Sequence, residues 1–242
     1  MSYSNPVFIP GPTNLPESVR RAIDLPTIDH RSPAFAEAMP KLFAGLRSIF
    51  ATKSPHIFVF PSTGTGGWEA TIANTLSPGD KVLACRHGVF SDKWIRMCEA
   101  FGLVVDVIEC DWRGPADPAL IEAALLADQN HAIKAVLATH NETATGVRSD
   151  LKAIRESIDR AEHNALFFVD GVSSIASMDF QMDAWGIDAA VTGSQKGFMM
   201  PAGLAIVAVS EKAMEAGKTA TLPRFFFDFK QMGQMTHQGG FP

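Results

Sequence analysis

The sequence predicts an α/β fold built on a doubly wound sheet of parallel strands. Two observations carry that prediction. Seven short, nearly continuous apolar runs recur along the chain: Ile57–Phe60, Lys81–Cys85, Leu103–Ile108, Ile133–Thr139, Ala165–Asp170, Ala189–Thr192 and Leu204–Val209. Runs of that length without polar alternation read as strands buried on both faces. Between them lie segments with helical spacing: Gly66–Leu76, Ser91–Phe101, Pro118–Ala127 and Asp150–Ala161. Strand and helix in alternation make parallel strands joined by crossover helices. At 242 residues, 46% of them hydrophobic, the chain is long enough for a sizeable core.

Each element has its own local reason. The opening from Asn5 to Pro16 holds four prolines and reads as an extended arm or loop, because proline lacks the N–H that a helix needs. From Ser32 to Phe50, apolar residues return at helical spacing through Phe35, Met39, Leu42, Phe43, Leu46, Ile49 and Phe50. Ser32 is the expected N-cap and Pro33 the first helical residue. The strands and helices named above then follow in turn.

Composition excludes several classes. Lysine and arginine number 21 against 26 acids, a net charge of −5, which disfavours nucleic acid or an anionic membrane as partner. The start has no basic and apolar leader pattern. The longest apolar stretch, Met199–Val209, is broken by Pro201 and Gly203, well short of the roughly 20 residues of a membrane span. Cys85, Cys98 and Cys110 are too few and too scattered for a disulfide framework or a zinc site. The expectation is a cytoplasmic protein with no metal.

In doubly wound sheets, ligands bind at the carboxyl ends of the strands, so the residues just after each strand are the candidates for chemistry. After the first strand comes Pro61-Ser-Thr-Gly-Thr-Gly-Gly-Trp68, leading into a helix. Glycines and a free helix N-terminus make an anion seat, most often for phosphate; no Gly-Lys-Ser/Thr follows, so this is no P-loop. The plainer alternative is a turn that caps a helix. Asp170 closes the strand Ala165–Asp170, where a carboxylate is costly unless paired; it could hold a protonated ring nitrogen, bind a metal or cap a turn. Lys196 lies in Gly193-Ser-Gln-Lys-Gly197 beside Phe198-Met-Met200, placed for desolvation, which makes an amine nucleophilic; the alternative is a solvated loop lysine. The segment Thr139-His-Asn-Glu-Thr-Ala-Thr-Gly146 is a polar stretch between strand and helix. A phosphate seat, a ring-nitrogen carboxylate and a nucleophilic lysine are together what pyridoxal phosphate requires.

With those residues in view, the chain resembles the class V, fold-type I pyridoxal-phosphate aminotransferases, of the serine/alanine/aspartate–glyoxylate group. The matching segments are Pro10-Gly-Pro-Thr-Asn14, Asp29-His-Arg-Ser-Pro33, Ser62–Trp68, Thr139–Thr143, Asp170-Gly-Val172 and Gly193-Ser-Gln-Lys196. The resemblance implies a fold-type I large domain, a mostly parallel mixed sheet sandwiched by helices. It implies transfer of an amino group from a small amino acid to glyoxylate by a ping-pong Schiff-base mechanism, in a homodimer. Lys196 would form the Schiff base and shuttle the α-proton, and Asp170 would pair with the ring nitrogen. Val172 and Phe90 would cover the two ring faces. Thr65, Gly66 and Gly67, helped by Gln195, would hold the phosphate, and Thr143 the phenolic oxygen. Pro10, Gly11 and Pro12 would line the substrate entrance.

The family carries a further, smaller C-terminal domain with the arginine for the substrate carboxylate and a Tyr-Thr element that reaches the partner's phosphate. Here the one tyrosine is Tyr3, and no arginine follows Arg224. The expected layout is an N-terminal arm, 1–20, and a cofactor-binding large domain, 21–242, with the small domain absent. Phe225-Phe-Phe227 would then be surface that this domain covers. Three other readings are an inactive fragment that binds the cofactor or only a partner, a cysteine desulfurase-like relative, and a nicotinamide-binding Rossmann domain, for which Asp80 is a poor match to the ribose-binding acid. The second is disfavoured because such relatives usually have histidine at the positions of Gln195 and Phe90, and a late catalytic cysteine.

Overall fold

The computed structural model describes residues 7–237. Expectations resting on Tyr3 or on residues 238–242 lie outside them. In chain order the elements are α1 (Glu17–Ile23), α2 (Pro33–Phe50), β1 (Ile57–Ser62), α3 (Gly64–Thr75), β2 (Lys81–Arg86), α4 (Val89–Ala100), β3 (Val104–Glu109), α5 (Pro118–Ala127), β4 (Ile133–Thr139), β5 (Asn141–Glu142), β6 (Val147–Arg148), α6 (Leu151–Arg160), β7 (Leu166–Asp170), β8 (Ala189–Gly193), β9 (Gly203–Val209), α7 (Glu211–Ala216) and α8 (Phe229–His237). All seven expected long strands are present, and each expected helix is within two residues of its observed bounds at either end.

Seven strands form one sheet in the order β1-β9-β8-β7-β4-β2-β3. β2, β3, β4, β7 and β8 pair in parallel, and β9 runs antiparallel to both β1 and β8. The reversed β9 is what makes the sheet mixed. An apolar run cannot reveal its direction, so reading the runs as parallel fails at this strand.

Alternation along each strand sorts the core into two layers, because successive side chains point to opposite faces. Val59, Leu83, Val136, Phe167 and Ala190 meet Phe43, Leu46 and Phe50 of α2, Ile121 and Leu125 of α5, and Ile154 and Ile158 of α6. Phe60, Val82, Leu137, Phe168 and Val191 meet Trp68 and Ile72 of α3, Trp94 and Ile95 of α4, and Phe229 of α8. The helices therefore sandwich the sheet. β3, at the edge, is half-exposed rather than buried on both faces, with Val104 open to solvent.

Ser32 accepts from Phe35 N and caps α2, with Pro33 at its start, as the sequence indicates. Of the apolar positions in that helix, Phe43, Leu46 and Phe50 are buried, whereas Leu42 and Ile49 face outward. The helix has apolar residues on two faces and the sheet covers one. α1 spans residue 20, where the arm was expected to end, and has no buried residue. Among the described residues no helix is long and apolar enough to cross a membrane.

Candidate active site

β1, β2, β4, β7 and β8 all end at one edge of the sheet. Their registers show this: Ser62 lies opposite Gly203, Gly193 opposite Ala205, Asp170 opposite Val191, and Thr139 opposite Asp170. The polar loops leave from this edge. A cavity of about 610 Å³ between α3, α7 and α8, lined by His56, Glu211 and Lys218 among others, sits at the opposite edge and takes no part in the site.

Asp170 is 4% exposed, and its carboxyl is pushed up to about 7. Burial is the main cause, and the charge of Glu142 adds to it. The N–H of Val172, donating to Oδ1 at 2.9 Å, and the positive charge of Lys196 pull the other way. The indole N–H of Trp68 acts in that same direction without closing a hydrogen bond. A carboxyl in this state is suited to a cationic partner, and among the described residues no ion pair reaches it.

Lys196 lies in the turn after β8, half-buried, and its amine is shifted down by desolvation, opposed by the charge of Asp170. Backbone contacts fix the turn: Thr13 N donates to Gln195 O at 3.0 Å, and Thr13 Oγ1 to Lys196 O at 3.2 Å. A Cβ on Gly11 would lie 2.5 Å from Lys196 Cδ, so the Pro10-Gly11-Pro12 loop packs directly on the lysine stem and no side chain fits there. Pro10 and Pro12 are themselves exposed.

Gly64, Thr65, Gly66 and Gly67 open α3, and the preceding Thr63 makes no side-chain cap. The first N–H groups of a helix have no intrahelical acceptor, so they remain available to an anion. A Cβ on Gly64 would overlap Val172, and one on Gly67 would overlap Val191. The glycines thus let α3 sit flush against the β7 and β8 ends. Gln195 Oε1 is buried with no hydrogen-bond partner among the described residues, on the side of Gly193 that faces Gly64 N. Val172 and Phe90 are both half-buried and pack against the same core layer.

Sequence reasoning missed Glu142. It is 0% exposed and accepts from Phe90 N at 3.1 Å, Ser91 N at 2.9 Å and Ala144 N at 3.1 Å. It therefore caps α4 from another element, where a carboxylate is favoured by the helix dipole. Gly88 makes room for it, since a Cβ there would overlap the Glu142 side chain. One residue thereby fixes both the start of α4, with Phe90, and the loop with Thr143. The signal was present as an acid in a polar loop, but nothing in the sequence pairs it with Gly88. His140 was likewise unassigned. Its Nδ1 meets Ser174 Oγ at 2.9 Å, while Asn141 Nδ2 donates to Ser173 Oγ at 2.9 Å, and together they hold the turn that carries Val172. Asp29, His30 and Arg31 form an exposed turn, with Arg31 N donating to Asp29 Oδ1 at 2.9 Å.

Comparison with known proteins agrees with this geometry. The chain is 57% identical over 242 residues to the L-aspartate–glyoxylate aminotransferase of Paracoccus denitrificans, matching 100% of this chain and 61% of that protein. It is 49% identical over 245 residues to the serine–glyoxylate aminotransferase of Hyphomicrobium methylovorum, again 100% of this chain and 60% of the relative. It superposes on an aspartate aminotransferase of subgroup IV from Thermus thermophilus with a TM-score of 0.87 at 28% identity, covering 96% of this chain and 64% of that one. The chain thus spans about three fifths of the length of the curated relatives it matches. From residue 17 to residue 238 it matches the model of aminotransferase class-V, and it belongs to that family.

Proposed function

We propose that this chain is the cofactor-binding part of a pyridoxal-phosphate aminotransferase that moves an amino group from serine, alanine or aspartate to glyoxylate. One observation carries the reading: a buried Asp170 carboxyl, a desolvated Lys196 amine and the uncapped start of α3 converge at one sheet edge. The residues fit the cofactor. Among the described residues Asp170 has no ion-pair partner and Gln195 Oε1 no hydrogen-bond partner, and glycine lets the uncapped start of α3 sit flush against Val172. The names of the relatives supply the glyoxylate specificity.

When bound, pyridoxal phosphate supplies an aldehyde for covalent capture of amines and a protonated ring that withdraws electrons from the substrate's α-carbon. The rest is done by the chain. Lys196 Nζ would be the covalent anchor and would move the α-proton, a task suited to an amine shifted down by desolvation. Asp170 holds the ring N–H and keeps it protonated, because the carboxylate is stabilised by that bond. Val172 and Phe90 bracket the ring. Thr65, Gly66, Gly67 and Gln195 hold the phosphate, and Thr143 orients the phenolic oxygen. Pro10, Gly11 and Pro12 border the entrance and shield the lysine stem from water. Residues 21–242 form the cofactor-binding domain and residues 1–20 its arm. A cytoplasmic homodimer is the form this reading expects, and three free cysteines suit a reducing compartment.

The test is chemical. Pyridoxal phosphate added to the chain should give a visible absorbance band, and borohydride should lock the cofactor onto the peptide containing Lys196. Lys196→Ala should abolish both the lock and the turnover of serine, alanine and aspartate with glyoxylate, with double-reciprocal plots for the wild type running parallel. Covalent trapping at another lysine would sink the assignment.

A further inference from the structure

We propose that Lys93 binds the phosphate group of the cofactor, bringing a full positive charge to the start of α3. The proposal rests on the pyridoxal-phosphate reading above. Lys93 Nζ donates to Thr65 Oγ1 at 3.2 Å, across 28 residues of sequence and from a different helix. Thr65 is the second residue of α3, so Nζ sits beside the uncapped N–H groups. α4 brings it there by simple spacing. Phe90 and Lys93 are three residues apart on one helix, and such residues share a face. The helix that carries one expected ring wall therefore also delivers a cation to the phosphate end.

Lys93 forms no ion pair among the described residues. The acid next to it, Asp92, is already held by Arg86 at 3.0 Å and reached by Arg96 at 3.9 Å. A lysine that donates to a neutral hydroxyl has two further N–H donors to give. The charge balance of the site calls for it. A phosphate monoester carries roughly −1.5 to −2 near neutral pH, and a helix N-terminus offers only about +0.5. Of the other buried ionisable side chains at this edge, Asp170 and Glu142 are acids, and His87 and His140 are shifted down by burial, which disfavours their charged form. Lys196 is committed to the aldehyde end. Lys93 can keep Thr65 as one partner and bond a phosphate oxygen with another donor, which also orients the Thr65 hydroxyl proton toward the anion.

The experiment compares two aldehydes. Pyridoxal has the ring and the aldehyde of pyridoxal phosphate but not its phosphate group. Binding of each to wild type, Lys93→Ala and Lys93→Arg is followed by quenching of tryptophan fluorescence, at low and high salt. Lys93→Ala should weaken pyridoxal phosphate about tenfold, the size expected of one charged hydrogen bond at a partly solvated site, and leave pyridoxal unchanged. Lys93→Arg should keep most of the affinity, since the charge is retained. Wild-type affinity for pyridoxal phosphate should fall more steeply with salt than that of Lys93→Ala. Because Lys93 is exposed, the thermal midpoint of the variant should match that of the wild type. Equal loss for both aldehydes, or loss for neither, overturns the proposal alone. A wild-type chain that takes up neither aldehyde overturns the cofactor reading and this proposal with it.

Discussion

Asp170 makes the sharpest residue-scale prediction, because its titration reports whether the site is primed. Burial raises its carboxyl to about 7, whereas an unfolded aspartate titrates near about 3.9. Between those values the folded chain holds a proton that the unfolded chain has lost. Its contribution to stability is therefore complete below about pH 4 and is lost as pH rises through about 7. His140 works in the opposite sense. Burial pulls it down to about 4, so its contribution is lost as pH falls from about 6.5 toward 4. Comparing wild type with Asp170→Asn cancels the histidine. Thermal melts of the cofactor-free chain should show Asp170→Asn gaining on the wild type as pH is raised from about 5 to about 8. A difference that stays flat over that interval would mean Asp170 is ionised throughout. The same variant should bind pyridoxal phosphate poorly, since a carboxamide does not keep the ring nitrogen protonated.

At the scale of elements, the site depends on how helix starts are seated on strand ends. α3 is seated by glycine and α4 by Glu142. Glu142→Gln keeps the shape but turns an NH2 donor toward N–H groups that need an acceptor, at a cost of about 1–3 kcal/mol. The start of α4 should shift, and Phe90 with it. The expected signature is an altered circular dichroism band of the bound cofactor and a lower kcat, with less change in affinity for the phosphate group. Gly88→Ala perturbs the same joint from the other side, since its Cβ overlaps the Glu142 side chain, and should show the same signature. If both variants lose stability but keep a wild-type cofactor spectrum, Glu142 holds the fold and not the ring wall.

At the scale of the whole molecule, two stretches of the described residues hold exposed apolar side chains close together in sequence. Val7, Phe8, Ile9, Ile23, Leu25 and Ile28 are exposed along the segment around α1, Phe8 at 90% and Leu25 at 68%. Phe225, at 86%, and Phe226 are exposed before α8, while Phe227 tucks edge-on against Phe60 at 5.3 Å. A folded segment with so little of its apolar surface covered is stabilised when a second surface covers it. The homodimer reading assigns the α1 segment to the partner copy. Sedimentation at micromolar concentration should give a dimer, and Leu25→Asp with Ile28→Asp should shift it toward monomer without lowering the helical circular dichroism of the core. A wild-type monomer under those conditions would count against that assignment.

How much could be read in advance differs from residue to residue. The strands were legible because a run such as Phe167-Phe-Val169 has one low-cost place, the interior of a sheet covered on both faces. The start of α2 was legible because Ser32 and Pro33 act within one turn of the chain. Asp170, Lys196 and the α3 glycines could be named as candidates because each ends a strand or opens a helix. What the sequence could not hold was anything decided between distant segments. The direction of β9 follows from its pairing with β1 and β8, and no local pattern encodes it. Glu142 capping α4, Gly11 packed on Lys196 and Lys93 reaching Thr65 each join segments 28 or more residues apart. The sequence by itself determined the elements and the chemical types at their ends, because those depend on neighbouring residues. The tertiary structure alone decided which of those types meet, how far each is buried and so which proton each holds, because desolvation and contact exist only once the strands are side by side.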